Sequence, residues 1–318
     1  PNSRGEDLSN LKLQLDQLTT RQNQLAPVCE SILQDQLNST LTSMGFTLGG
    51  QAIPPVLYHV TPLPYALIVS PRSVVRQDAN ISLQTDLTLE QAIALEDRVS
   101  RELNVSALVE QIGGVGTYPT MVEESSDIVW LTEVIAHEWT HNYLQLAPLG
   151  LNYDTSSELR TMNETTANLA GKEIRYAMLV KYYPEYAPEP EPVIQPETPE
   201  TEQEEDQPPQ FDFRAEMHQT RITADELLAQ GKIDEAEAYM EERRQLFWQN
   251  GYVIRKLNQA YFAFHGAYAD SPRGAAGTDP VGPAVRQLRA NSASLADFLH
   301  VISRMSSFEQ LQKTLSAE

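Results

Sequence analysis

His137-Glu138-Trp139-Thr140-His141, preceded by the apolar run Ile128-Val129-Trp130-Leu131-Thr132-Glu133-Val134-Ile135-Ala136, is the stretch from which the rest of the chain is read. On an α-helix, positions i and i+4 are separated by about 400° of rotation and about 6 Å of rise. His137 and His141 therefore point the same way and can share one ion. Glu138 falls about 100° round from His137, beside such an ion, where a carboxylate can take a proton from activated water. With 6 His and 29 Glu among 318 residues, an H-E-x-x-H string arises by accident in roughly one such chain in a hundred. The plain alternative is a buried helix with two incidental histidines, and it is costly, because ionisable groups in an apolar helix need a metal or partners. Ser125, Ser126 and Asp127 offer N-cap chemistry at the helix start.

A catalytic zinc takes a third protein ligand and keeps a fourth position open for water. A histidine six residues after His141 would complete the extended metzincin motif, but that position is Ala147. The other source is a glutamate on a second helix. Residues 156–183 are helical by composition and period and contain Met162-Asn163-Glu164-Thr165-Thr166-Ala167-Asn168. Glu158 and Glu173 on the same helix are rival ligands, with a solvated helix face the alternative for both.

In these residues the chain resembles the gluzincins, zinc peptidases whose third ligand is a glutamate on the helix after H-E-x-x-H. His137 and His141 match the histidine ligands, Glu138 the general base, and Glu164 the glutamate of an N-E-x-x-A pattern. The resemblance implies one Zn²⁺ per chain, a peptide or protein substrate and a zincin-like body. Ala167, one turn after Glu164, would let the two helices approach closely. Asn168, at i+4 from Glu164, occupies the place where some gluzincins have an Asp that accepts the ring N–H of a ligating histidine.

The chain is 41% hydrophobic and 8% aromatic, an ordinary globular composition. Its formal charge of −21 is unevenly spread: residues 184–213 hold ten acids, eight of the twenty prolines and no Lys or Arg. Nucleic acid is excluded as a partner, since phosphates demand basic surface. The single Cys29 rules out an intrachain disulfide framework and a cysteine-based zinc site. No apolar run approaches the eighteen or so residues of a membrane span. The chain opens at Pro1 without an initiator Met, so a signal or membrane tether before it would be invisible and the compartment stays unknown; an extracytoplasmic or membrane-anchored location is one option that this leaves open.

Residues 1–45 are expected to be N-terminal helices. Leu8, Leu15, Gln22 and Cys29 fall at one heptad position, and Leu11, Leu18, Leu25 and Ile32 at the other. Pro27 breaks the pattern or starts a new helix. Two forms fit: a short coiled-coil stalk, or an amphipathic helix folded onto the body.

Residues 46–183 form the expected catalytic core. Strands are expected at 56–60 and 65–69, a helix at 87–103, and extended chain over 107–122, interrupted by Gly113, Gly114 and Gly116. That last stretch is placed to be an edge strand holding substrate backbone, although its glycines serve equally well as turns. Residues 184–213 read as a disordered linker or, alternatively, a mobile flap. Residues 214–318 are expected to be helical, over 215–230, 232–267 and 288–315, and part of the same unit. The fold class is α+β: a zincin-like body with a small mixed sheet, an active-site helix and a mostly helical C-terminal half.

A second cluster runs Asn258-Gln259-Ala260-Tyr261-Phe262-Ala263-Phe264-His265-Gly266-Ala267-Tyr268. It resembles the N-N-A-x-L-x-x-x-x-x-Y region of a bacterial family of predicted aminopeptidases with the same order of motifs. Asn258 and Tyr268 match, and Gln259 departs from the second Asn. The resemblance implies that Asn258 backs the metal site and that Tyr268, or else His265, supplies an oxyanion donor. The aromatics Phe262 and Phe264 read as helix core.

Exopeptidase and endopeptidase action stay open. The glycine-methionine-glutamate motif of one large aminopeptidase family is absent before the helix, where only Glu123 and Glu124 stand. The favoured reading is a zinc peptidase with Glu138 as base, and the rival is a non-catalytic zincin-fold module for binding or assembly. Retention of Glu138 argues for the enzyme.

Overall fold

The computed structural model describes residues 2–187, 211–271 and 274–317. The chain begins with one long helix, α1 (Asn2–Ser43), in which Pro27 sits without ending it. Leu33, Leu37 and Leu41 recur every four residues along its second half and are buried in the main core. Beyond the hairpin of β1 (Thr47–Leu48) and β2 (Gln51–Ala52) lies β3 (Tyr58–Val60).

Glu30, Gln34 and Asn38, again four apart, line the edge of β3 and the residues before it. Glu30 accepts the Val60 N–H (2.8 Å), Gln34 donates to Tyr58 O (2.9 Å), and Asn38 accepts the Val56 N–H (2.8 Å). This ladder covers a sheet edge that would otherwise show unpaired backbone groups.

The first half of α1 behaves differently. Leu8, Leu11, Leu15, Leu18 and Leu25 are all exposed, from 41% to 69%. Of the two forms open for residues 8–32, an amphipathic helix folded onto the body does not describe this stretch of leucines, since the core contacts of α1 begin only near Glu30.

One three-stranded antiparallel sheet has β4 (Tyr65–Pro71) at its centre, between β5 (Ala79–Ser82) and β6 (Val105–Gln111). Ala66-Leu67-Ile68-Val69 is apolar without alternation because both faces are covered. Leu67 and Val69 meet α2 (Leu89–Leu103), which starts at a Thr88–Gln91 capping box. Ala66 and Ile68 meet residues 260–264 from the C-terminal half.

The other sheet has the order β3-β8-β7, with β8 (Thr120–Val122) parallel to β3 and antiparallel to β7 (Gly114–Val115). The extended stretch over 107–122 is thus three strands in two sheets.

After β8 come α3 (Ile128–Leu144), α4 (Pro148–Leu151) and α5 (Ser157–Tyr182). Residues 184–186 make a short 3₁₀ turn. The expected linker over 184–213 otherwise lies largely outside the described residues. Past it the chain is helical, with no strand among the described residues.

α6 (Phe213–Ala229) matches its expectation, but the single helix expected over 232–267 is two. α7 (Ile233–Gln249) ends at Asn250 and Gly251, the latter at φ +87°, and α8 (Gln259–His265) restarts after an irregular interval of turns and bends. The expected helix over 288–315 is likewise three: α9 (Val281–Asn291), α10 (Leu295–Ile302), capped by Ser294, and α11 (Phe308–Ala317). α9, α10 and α11 pack on α5 in the same core that receives α1 and α3. No helix among the described residues is long and apolar enough to cross a membrane.

Candidate metal centre

α3 is started by Asp127, whose Oδ1 accepts the N–H groups of Val129 (2.9 Å) and Trp130 (3.2 Å). Ile135 and Trp139 are buried in the core, and Trp139 Nε1 donates to Pro54 O (2.7 Å). Asn142 ties the helix to Thr120 Oγ1 (3.0 Å). α3 and α5 cross closely because their contact is lined by small residues. Ala167 and Ala170 are fully buried, and a Cβ on Gly171 would lie 3.2 Å from both Glu133 O and His137 N. The expected small residue at 167 is one of three, and Gly171 is the one that touches the backbone of α3.

Across this contact His137, His141 and Glu164 converge, and they are the one group of at least three potential metal ligands among the described residues. The two Nε2 atoms lie 3.0 Å apart, and Glu164 Oε2 lies 3.5 Å from each. Ligands about 2.0–2.1 Å from a tetrahedral zinc stand about 3.3 Å from one another. The three atoms therefore fit around one ion. Glu164 Oε2 is buried without a hydrogen-bond partner, a cost that an ion at this point would remove.

The other groups around the triad hold it in this form. His141 Nδ1 is 2.7 Å from Asn163 Oδ1, and Asn163 Nδ2 faces Leu149 O at 3.4 Å. The amide oxygen can only accept, so His141 Nδ1 carries a proton, and Nε2 is the ring nitrogen that would be left to coordinate an ion. The Tyr153 hydroxyl donates to Glu164 Oε1, leaving Oε2 to the histidines.

Burial lowers the His141 pKa, but the charges of Glu164 and Glu138 and the Asn163 contact outweigh it and raise it to about 9. The histidines in turn hold the Glu164 carboxyl well below its usual value against the effect of burial. Glu138 is shifted the other way: burial raises its pKa, and the histidine charges only partly oppose this.

Glu138 is packed under the edge strand β7. A Cβ on Gly114 would come within 2.5 Å of Glu138 Oε1, and one on Gly116 within 3.2 Å of His141 Cβ. These glycines are therefore positions of close approach as well as turns.

Tyr268 also reaches the site. Its ring centroid is 6.2 Å from that of His137, and burial together with the charges of Glu164 and Glu138 raises its pKa. His265 is turned elsewhere, its ring tilted against that of Tyr261 (centroids 4.3 Å apart) and its Nε2 3.7 Å from Glu110.

Two expected supporting residues do other work. Asn168 donates to Asp270 Oδ1 (2.9 Å) and so holds the 266–271 loop rather than a histidine, because His141 Nδ1 faces the start of α5, where Asn163 sits. Asn258 caps α8 by accepting the Tyr261 N–H (2.9 Å) and donates to Ala107 O (3.1 Å), which commits both ends of its amide to the scaffold. Of the rival glutamates, Glu173 pairs with Arg289 (2.7 Å) and Glu158 sits exposed in the first turn of α5.

Asn163 was legible as part of the N-E-x-x-A string but not by role. Tyr153 lies in the connection from α4 to α5, with no motif to mark it. Comparison of the chain with protein-family models, curated proteins and solved structures gave no match.

Proposed function

We propose that this protein is a zinc-dependent peptidase. The observation that carries the reading is Glu164 Oε2, buried and unpartnered at 3.5 Å from both histidine Nε2 atoms, with Glu138 held beside that group and outside it. The donor set of two imidazoles and a carboxylate suits zinc, which, when bound, lowers the pKa of water and polarises a carbonyl.

His137, His141 and Glu164 would hold the ion, and Asn163 and Tyr153 fix the orientation of two of these side chains. Glu138, its proton affinity raised by burial, takes the proton from the attacking water and delivers it to the leaving amine. Tyr268, whose hydroxyl keeps its proton, donates a hydrogen bond to the oxyanion. The glycine-rich edge β7 takes the peptide backbone alongside α3.

The test is a pair of measurements. Elemental analysis of the purified protein is expected to find about one zinc per chain, and Glu138→Gln is expected to abolish peptide hydrolysis with zinc retained. Absence of any transition metal after zinc is supplied overturns the reading.

A second reading, a non-catalytic module for binding or assembly, is favoured by the exposed heptad stripe of α1. Hydrolysis that vanishes in Glu138→Gln would exclude it.

A further inference from the structure

Tyr153 belongs both to the metal centre and to an adjoining cavity of about 270 Å³. Three arginines line this cavity: Arg76, Arg160 and Arg221. Arg76 is paired with Asp78 (2.6 Å) and Arg221 with Asp225 (2.7 Å). Arg160 is only 8% exposed and donates to Ala263 O, yet no carboxylate lies within ion-pairing distance of it among the described residues. Its natural partner by spacing is Glu164, four residues on, but Glu164 gives Oε1 to Tyr153 and turns Oε2 to the histidines.

A divalent ion on the triad would offset Glu138 and Glu164, which leaves the Arg160 guanidinium a buried charge with no carboxylate in direct contact among the described residues. Of the two aspartates in the lining, Asp279 accepts the Val281 N–H (2.8 Å) and Asp154 is exposed at the rim, and neither lies within ion-pairing distance of Arg160.

We infer that Arg160 receives a carboxylate of the bound peptide, carried by the C-terminus or by an Asp or Glu side chain within about two residues of the scissile bond. This rests on the peptidase reading above. Arg160 stands one helical turn, about 6 Å, from the ligand Glu164, and an extended peptide covers that distance in about two residues. The cavity is smaller than the roughly 300–1,000 Å³ of pockets for drug-sized ligands, which suits one or two residues and not a long segment. A guanidinium meets a carboxylate through two parallel hydrogen bonds, a geometry no ammonium reproduces.

The test compares kcat/KM on zinc-loaded protein for three tripeptides of neutral residues: one with a free C-terminal carboxylate, one amidated, and one amidated with a single Asp. Carboxylate-bearing peptides are expected to exceed the neutral amide at least tenfold, mostly through KM. Arg160→Gln, with zinc content and melting temperature matched to the native protein, is expected to bring that ratio near one, and Arg160→Lys to keep part of it. The better of the two carboxylate peptides identifies the source of the group.

Equal rates on all three peptides, or a ratio unchanged in Arg160→Gln, overturn the inference and leave the peptidase reading intact. Cleavage of none overturns the peptidase reading. Calorimetric binding of the acid and amide tripeptides then decides the role of Arg160 separately. A preference for the acid that disappears in Arg160→Gln supports it, and equal binding overturns it.

Discussion

Glu164 divides its two oxygens between two neighbours, and that division makes it the residue on which the metal centre depends. Oε1 is held by Tyr153 and Oε2 faces the histidines. Glu164→Ala is therefore expected to lose zinc and to lower the melting temperature together, whereas Glu158→Ala and Glu173→Ala keep the metal. Elemental analysis and thermal melting of the three variants check this.

The two tyrosines should separate by assay. Removing the Tyr153 hydroxyl frees Oε1 and should weaken zinc binding by about ten- to a hundredfold, the usual loss when a ligand's supporting hydrogen bond is removed. Removing the Tyr268 hydroxyl, which contacts no ligand carboxylate, should leave zinc in place and lower kcat by about ten- to a thousandfold. Zinc titration and steady-state kinetics of the two Tyr→Phe variants distinguish these outcomes.

At the scale of elements, Glu138, the proposed base, is positioned by the strand packed on α3 as much as by its own helix. Gly114 leaves just enough room for the Glu138 carboxyl. Gly114→Ala is expected to displace that carboxyl and to lower kcat by about tenfold or more, with zinc content unchanged. Kinetics paired with elemental analysis test it, and an unaltered rate would show that Glu138 can move without consequence.

The periods of α3 and α5 were readable because each helix is long and amphipathic or apolar throughout. The division of 232–267 into α7 and α8 was not. A helical composition continues through 250–258, and only the left-handed Gly251 together with the Asn258 cap breaks it. In α1 the sequence period marked one stripe, Leu8 to Ile32, but the stripe that is buried is Leu33, Leu37 and Leu41. A heptad count cannot tell which end of a helix meets the body.

Across the whole molecule, one buried carboxylate joins the N-terminal sheet layer to the C-terminal half. Glu96 on α2 is 1% exposed and accepts the Val109 N–H of β6 (2.6 Å). It also meets Arg255 (2.6 Å) and Lys256 (3.2 Å) ahead of α8. Burial works to raise its pKa, but Arg255, the Val109 N–H and Lys256 outweigh this and hold it below the usual value.

A carboxyl depressed in the folded state stabilises above its unfolded pKa, about 4.3, and that contribution is lost as pH falls through the folded value. Glu96→Gln is expected to cost about 3 kcal/mol at pH 7, as for one partner removed from a buried pair. The difference from the native protein should shrink below about pH 4. Denaturant unfolding of both proteins between pH 3 and pH 7 measures it.

The pairing of His137 with His141 was legible in the sequence alone, because it follows from helix geometry, whereas Glu164 was singled out from Glu158 and Glu173 by a resemblance and only the structure brings it to the two histidines. An i, i+4 histidine pair and a glutamate on a second small-residue helix have few other ways to satisfy buried charge. The α+β class and most of the elements before residue 187 were legible for a similar reason, since local hydrophobic period and capping chemistry report on nearest neighbours in the chain.

What only the tertiary structure decided are relations between distant segments. Asn163, and not Asn168, stands behind His141; Tyr153 holds the free side of Glu164; Asn258 serves the scaffold; His265 turns away from the metal. Each depends on which face of one element meets which end of another. That is set by packing across more than a dozen residues of intervening chain, where no short-range pattern records it.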